Sequence, residues 1–409
     1  MQCTVPPPPS ATPARSPLAV SPRSLTAAFA HLPDPRRARS VTYARPALLA
    51  LAVAAILSNP LAVLAIAEWG ARQSPDLLRT LGFPRGRTPC QSTLQRLFSK
   101  LDGHALAAAL GAYFAPAVVP VPAADARVQG VALDGKAQRG RLPFQQGGCP
   151  VHALSAFCPE HGVVLAPEPI EPGQDAEKGE AELTVAPALL ARVAWPGRVL
   201  TGDALFCQRH LCQQVREAGG DDLLLVKENQ PTLYEDLRLL FDPPPSLAAL
   251  PLRDQREART VDRGHGRRDD VRHLVASTDL NGYVDWPGLA QVFRLSRTWG
   301  EHGVTKQALH YGITSLRPEA GPPEQLLALK RGQWRMENGL HRVKDVSLGE
   351  DQSLIHRGQG PTVMALLRDA AVSLLHRAGI RHISARLRYH SQHPAAAVAL
   401  LVAPLPAHA

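Results

Sequence analysis

Paired cysteines are missing from this sequence. Six cysteines (Cys3, Cys90, Cys149, Cys158, Cys207 and Cys212) are scattered over 409 residues, and no two form a CxxC pair. That sparseness excludes a disulfide-stapled scaffold and points to free thiols in a reducing cytoplasm. A secretory leader is also lacking, since the start, MQCTVPPPPSATPARSP, is proline-rich and polar. No apolar run is long enough for a bilayer. The nearest, Pro46 to Ala67, is cut by Ser58-Asn59-Pro60 into two pieces too short to cross as helices, so buried helices of a soluble domain are expected there. There is no internal repeat. With 45% hydrophobic and 20% charged residues the chain is not globally disordered.

What it has is positive charge. The formal net charge is +9 and the pI is 9.5. An excess of this size favours a polyanionic partner, most often nucleic acid, through phosphate neutralisation and counterion release. Many basic proteins bind no nucleic acid, so charge alone leaves both readings standing.

Composition and periodicity divide the chain. Residues 1–24, with Pro6 to Pro9 and scattered Ser and Arg, read as a disordered tail. Residues 25–116 read as a small all-helical domain with Ser24 as its first cap, and Pro116 to Ala124 as the linker behind it. A strand over 127–133 then ends at Asp134. A hairpin follows around Glu160-His161-Gly162, then a helix over 177–193 and a strand over 198–202 ending at Asp203. A helix over 205–218 stops at Gly219-Gly220, and a strand covers 223–227. This order is that of an RNase H-like α/β core: a mixed five-stranded sheet, three strands antiparallel and two parallel, with flanking helices. The catalytic domain is expected over 125–378, with a β-rich insertion at about 232–322 and helical periodicity resuming at Pro323 to Asp345. A basic tail, 379–409, closes the chain.

Three acids stand out on this framework. Metal-assisted phosphoryl transfer needs several carboxylate oxygens converging on divalent ions from rigid elements. Asp134 and Asp203 at strand ends share a crevice if their strands are neighbours, and Glu337 on a helix could complete the set. By spacing alone, however, an acid at a strand end is more often a turn or cap residue.

Ordered motifs surround these acids: LDGKAQRG (133–140), LTGDALFCQRHLC (200–212), LLLVKENQPTLYEDL (223–237), RGHGRRDDVRH (263–273), HYGITSL (310–316) and RGQWRMENGLHRVKDVSLGEDQS (331–353). Together they resemble the DDE transposases of bacterial insertion sequences, in the ISAs group that includes the H-repeat-associated proteins. Residues 31–57 resemble that group's N-terminal associated domain. The resemblance covers about 25–390 and implies Asp134, Asp203 and Glu337 as catalytic, metal-binding acids holding two Mg²⁺ (or Mn²⁺) ions. It implies cleavage of one strand at the element end, then attack of the freed 3′-hydroxyl on target DNA. The implied partners are double-stranded DNA, as terminal inverted repeats and as target, and a second copy of the chain in a DNA-dependent homodimer. No membrane is involved, and the implied location is the bacterial cytoplasm, at the nucleoid.

In related transposases the last acid lies in a Tyr-x2-Arg-x3-Glu-x6-Lys signature. Glu337 and Lys344 fit that spacing, whereas Lys330 and Gln333 stand where Tyr and Arg would be, with Arg331 and Arg335 flanking. On an α-helix Glu337, His341 and Lys344 would share one face, with Lys344 reaching DNA phosphate. A solvated charge stripe is the plainer reading of that spacing. Lys136 in DGK is a candidate phosphate contact, and an idle loop lysine otherwise. His265, Arg267 and Arg272 in the insertion are candidate DNA-end contacts, or simply a charged hairpin tip. Trp299 could stack on an unpaired base, but more often such a residue packs in a core. Cys149-x2-His152 and Cys158-x2-His161 imitate a zinc spacing, which their place in or beside predicted core strands disfavours. Packing explains Cys207 and Cys212 without a metal, and the N-terminal helices fit a DNA-reading helix-turn-helix or a plain bundle equally well. The competing functions are a decayed relative that binds DNA without catalysis, a nuclease that cuts without joining, and a zinc-dependent regulatory module.

Overall fold

A computed structural model describes residues 20–404, apart from 38, 40, 60–61, 119–127, 138–151, 171–177, 246–251, 265–266 and 302–303. Most of the N-terminal tail thus lies outside the described residues. Ser24 caps α1 (Leu25–Ala28) as its sequence position suggests, its Oγ accepting from the Ala27 N–H at 3.2 Å. Next come α2 (Arg45–Ile56), α3 (Val63–Ala71), α4 (Pro75–Thr80), α5 (Gln91–Phe98) and α6 (Gly103–Phe114). Helix α2 is the first half of the broken apolar stretch, and all of its residues from Ala47 to Ile56 are buried. A helix apolar on every side must be wrapped by protein. No helix among the described residues is long and apolar enough to cross a membrane.

The sheet begins with β1 (Gln129–Ala137), β2 (His152–Cys158) and β3 (Val163–Ile170), joined antiparallel. Helix α7 (Lys178–Leu190) leads to β4 (Arg198–Gly202), and α8 (Arg209–Glu217) leads to β5 (Asp221–Val226). Parallel neighbours need such crossovers, and β4 lies parallel to both β1 and β5. These five strands have the order and directions expected of the RNase H-like core. The expected sheet was nevertheless too small. After α9 (Pro231–Phe241) the insertion forms β6 (Arg256–Gly264), β7 (Arg267–Ser277), β8 (Gln291–Glu301) and β9 (Val304–Thr314). Strand β9 pairs antiparallel with β5, giving one nine-stranded sheet in the order β3-β2-β1-β4-β5-β9-β8-β7-β6. Gly312 permits this junction, because a Cβ there would run into the Phe293 ring and the Leu224 carbonyl.

Helix α10 (Pro323–Met336) crosses one sheet face and continues without a break into π-helical turns over Glu337–His341 and Val343–Ser347. Its Leu326 and Leu329 close a core against Val199, Leu223, Leu225, Leu274 and Phe293. Burying each such side chain contributes about 1.5–3 kcal/mol, which anchors α10 to the sheet far more firmly than its exposed ion pairs could. Gly130 sharpens the approach: a Cβ there would come 3.3 Å from Leu329 Cδ2. The chain ends in α11 (Gly360–Arg377), α12 (Ile383–Gln392) and α13 (Pro394–Val402). The segment read from sequence as a basic tail is therefore two helices through residue 402. Helix α13 packs on α1, α2 and α4, and the Ser21 N–H donates to the Val402 carbonyl at 2.9 Å.

Candidate active site

Strand register brings the first two acids together. Ala132 pairs with Thr201 across the parallel β1–β4 ladder. Asp134 and Asp203 lie two residues further along each strand, so they emerge side by side on the same sheet face. Asp134 lies inside β1, not at its end, because the antiparallel ladder to β2 continues as far as Ala137. Only the parallel partner stops, at Gly202. Where β4 stops, Asp203 caps a short 3₁₀ turn, its Oδ1 accepting from the Leu205 N–H at 3.0 Å.

The third acid comes from the helix above. Glu337 opens the first π turn, and His341 closes it. His341 is buried, with Nδ1 3.5 Å from Asp134 Oδ2 and 3.4 Å from Glu337 Oε2. Ligand atoms of Asp134, Glu337 and His341 all lie within 4.8 Å of one another, a grouping that could hold a metal ion. Asp203 stands outside that group, its carboxylate engaged by the Leu205 N–H, yet near enough for its charge to act on Asp134. Desolvation pushes the Asp134 carboxyl above its usual range; His341 pulls it back, while Glu182 and Asp203 push it further up. A divalent cation would relieve that repulsion. The donor set suits one: Mg²⁺ prefers carboxylate oxygens, and Mn²⁺ accepts imidazole nitrogen as well.

Two of these neighbours were not assigned roles from sequence. The i, i+4 spacing had already placed His341 on the face of Glu337, since one turn separates them on either kind of helix, but gave it no part in the site. Glu182, buried on α7, gave no signal. Two turns before Glu337 on α10 lies Lys330, which stands in the tyrosine position of the signature. It is buried, and its Nζ donates to the Gly202 carbonyl at 3.1 Å and to Gln333 Oε1. The two residues that depart from the signature therefore bond to each other beside the second acid.

The sequence comparisons bear on the family of the chain. The transposase DDE domain family matches residues 131–375, and the DDE_Tnp_1-associated family matches residues 26–114. The chain belongs to the DDE transposase family. It is 30% identical over 270 residues to an "Uncharacterized protein in dhlA 3'region" of Xanthobacter autotrophicus, covering 64% of this chain and 84% of that one. It is 26% identical over 353 residues to "Putative transposase YncI" of Escherichia coli O157:H7, covering 84% and 85%. It is also 26% identical over 254 residues to the "H repeat-associated putative transposase YhhI" of Escherichia coli K12, covering 60% and 63%. Among solved structures it is similar to a piggyBac transposase synaptic complex with hairpin DNA, at TM-score 0.44 and 10% identity over 92% of this chain and 77% of that one. That likeness is too distant to transfer any detail.

Other expected contacts of this transposase fare differently. Lys344 does not share the outward face of Glu337. A π turn advances less angle per residue than an α turn, so seven residues no longer return to the same side. Lys344 is buried instead, with Nζ 2.8 Å from Asp369 Oδ1 and 3.4 Å from Glu350 Oε1, and cannot reach a phosphate in this conformation. Lys136 Nζ donates to Asp345 Oδ2 at 2.6 Å. Arg272 is held by Asp262 at 2.5 Å and Asp270 at 2.8 Å, and Asp262 also receives Arg331 of α10 at 2.9 Å. His265 lies outside the described residues. Arg267 opens β7, but its side chain is outside them too.

Trp299 is half-buried, with the Arg297 guanidinium 4.6 Å over its ring and 5.5 Å from that of Trp334. The zinc spacing falls only partly within the described residues. Cys149 and the His152 side chain lie outside the described residues, while Cys158, Glu160 and His161 form a small cluster at the β2–β3 turn. Burial pushes the Cys158 thiol up to about 12, so it is not poised as a thiolate. Cys207 and Cys212 are core residues, as packing predicts.

Proposed function

We propose that this chain is a DNA transposase that cuts element ends and joins them to target DNA with Mg²⁺ or Mn²⁺. The observation that carries the reading is the side-by-side register of Asp134 and Asp203 under the helix that supplies Glu337 and His341. Asp134, Glu337 and Asp203 would hold two ions, with His341 as a further donor. When bound, the ions supply charge stabilisation at the scissile phosphate and activation of the attacking hydroxyl.

The protein's own groups position that chemistry. The β1–β4 ladder fixes the spacing of the first two acids, and α10 holds the third above them. His341 spans Asp134 and Glu337. Asp203 would leave the Leu205 N–H when it turns to an ion. Double-stranded DNA, as terminal repeats and target, is the substrate, and two copies of the chain would pair on two ends. Lys136, His265, Arg267 and Arg272 would serve the DNA contact, Lys136 and Arg272 after release from their acids.

The test incubates purified protein with the element's end DNA and Mn²⁺. Wild type is expected to release cut ends and then joined products, and Asp134→Ala neither. Equal cleavage by both proteins sinks the proposed site. Cutting without joined products would reduce the activity to that of a nuclease.

A further inference from the structure

A groove on the exposed side of α10 has no role in the chemistry above. Its largest part, about 670 Å³, lies between the helix, the β2–β3 turn and the start of α12. A second part, about 490 Å³, shares Pro159, Glu160, Arg335 and Asn338 with the first and extends toward β7. A third, about 290 Å³, shares Val346, Ser347 and Ser384 with the first and runs along α12. The three concavities therefore form one path beside the helix, and Asn338 on its wall directly follows Glu337.

The path is lined by one sign of charge. Arg272, Arg331, Arg335, Arg342, Arg381 and Arg388 line it, against a single carboxylate, Glu160. Arg272 and Arg331 are already held by acids, and Arg335 lies close enough to act on Glu160. Arg342, Arg381 and Arg388 are exposed, and no carboxylate among the described residues pairs with them. The surplus is thus concentrated where α10 meets α12. A concave wall with unneutralised guanidiniums focuses positive potential and suits a polyphosphate backbone.

We propose that this groove holds the sugar–phosphate backbone of double-stranded DNA alongside the acidic site, with Arg342, Arg381 and Arg388 as its phosphate contacts. The identity of the polyanion rests on the transposase reading. From Arg331 to Ser347 the helix spans at most about 24 Å, over which a duplex presents about fourteen backbone charges. Three free arginines neutralise only a fraction of these. The groove therefore guides and holds DNA without reading its sequence.

The experiment measures binding of the full chain to a fluorescein-labelled duplex by fluorescence anisotropy across a KCl titration. The double variant Arg342→Gln/Arg381→Gln is compared with wild type and with Arg317→Gln, an exposed arginine away from the groove. Each lost phosphate contact lowers the slope of log K against log salt by about 0.9, so the double variant should lose about 2. Its affinity should fall at least tenfold at low salt, while Arg317→Gln matches wild type. Unchanged melting and an unchanged response to Mn²⁺ would show that the double variant is folded with its acids intact. If the double variant binds and cuts like wild type, the groove assignment is overturned and the transposase reading survives. Wild type that neither binds nor cuts any duplex overturns both. Tighter binding of single-stranded DNA or RNA than of duplex also overturns the assignment.

Discussion

Lys136 and Asp345, 209 residues apart, meet at 2.6 Å in a partly buried ion pair. Lys136 sits two residues after Asp134 on β1, and Asp345 lies in the second π turn beyond Glu337. The pair thus ties the strand of the first acid to the helix of the third. Breaking it from either side should loosen the same connection. Lys136→Met and Asp345→Asn are each expected to slow strand cleavage about tenfold, and the double variant to be no slower than the worse single one. A double-mutant cycle on cleavage rate checks this, with a coupling of about 1 kcal/mol anticipated for neighbours in one network. Additive losses would mean that the ion pair has no part in cleavage and that the two residues act separately.

Asp134 is held above the normal carboxylate range by desolvation and by the charges of Glu182 and Asp203, against the pull of His341. Its native pKa therefore exceeds its unfolded one. The native state keeps the proton longer, so metal-free stability falls as pH rises from the ordinary aspartate value through the raised one. Asp134→Asn removes that penalty. It should melt higher than wild type without metal at neutral pH and gain little from added Mn²⁺, which should stabilise wild type. Thermal melts with and without Mn²⁺ decide the matter; equal metal responses would remove Asp134 from the ligand set.

Lys344 makes the opposite kind of prediction from the one its signature spacing suggests. Burial pulls its pKa down, but Asp369 and Glu350 outweigh that, and the net shift is upward. Removing its charge leaves two buried carboxylates with Arg368, 3.8 Å from Glu350, as the nearby cation. Lys344→Met should cost about 3–5 kcal/mol of stability, the usual penalty for breaking a buried pair from one side. Duplex affinity of the folded fraction should be unchanged. A variant that melts like wild type but loses DNA affinity would restore the phosphate role.

The contrast between Lys344 and the first two acids shows what was legible in the sequence. Asp134 and Asp203 follow apolar runs of strand length, and parallel register then fixes their meeting without any unusual geometry. Glu337 and His341 also meet as a helix predicts, because one turn tolerates a change from α to π. Over seven residues the same change swings Lys344 to the interior, and nothing in the local composition announces a π turn. The extension of the sheet through β9 was hidden for a related reason. A β-rich insertion can be recognised from alternation and turns, but pairing of β9 with β5 is a long-range contact, which the absence of a side chain at Gly312 permits. Glu182 and Asp345 are likewise brought to the site only by tertiary packing.

Lys330 offers the sharpest test of the local electrostatics. Burial is the largest influence on it and lowers its pKa; Asp203 draws it back up, Lys227 presses it down, and it settles at about 7. The unfolded chain therefore holds a proton that the native protein has released across the window from about 7 to 10.5, and stability should rise with pH there. The slope from this one group reaches about 1.4 kcal/mol per pH unit. Lys330→Met has no proton to release, so this contribution should vanish. Relative to wild type, the variant should be most stable at pH 7 and below and lose that standing steadily toward pH 10. The same substitution removes the donor to the Gly202 carbonyl, next to Asp203. Cleavage should consequently slow even where the variant melts higher. Chemical denaturation of both proteins at several pH values measures the difference directly. Parallel stability curves would show that Lys330 keeps its charge in the native state, and that its hydrogen bonds at the end of β4 are those of an ammonium group.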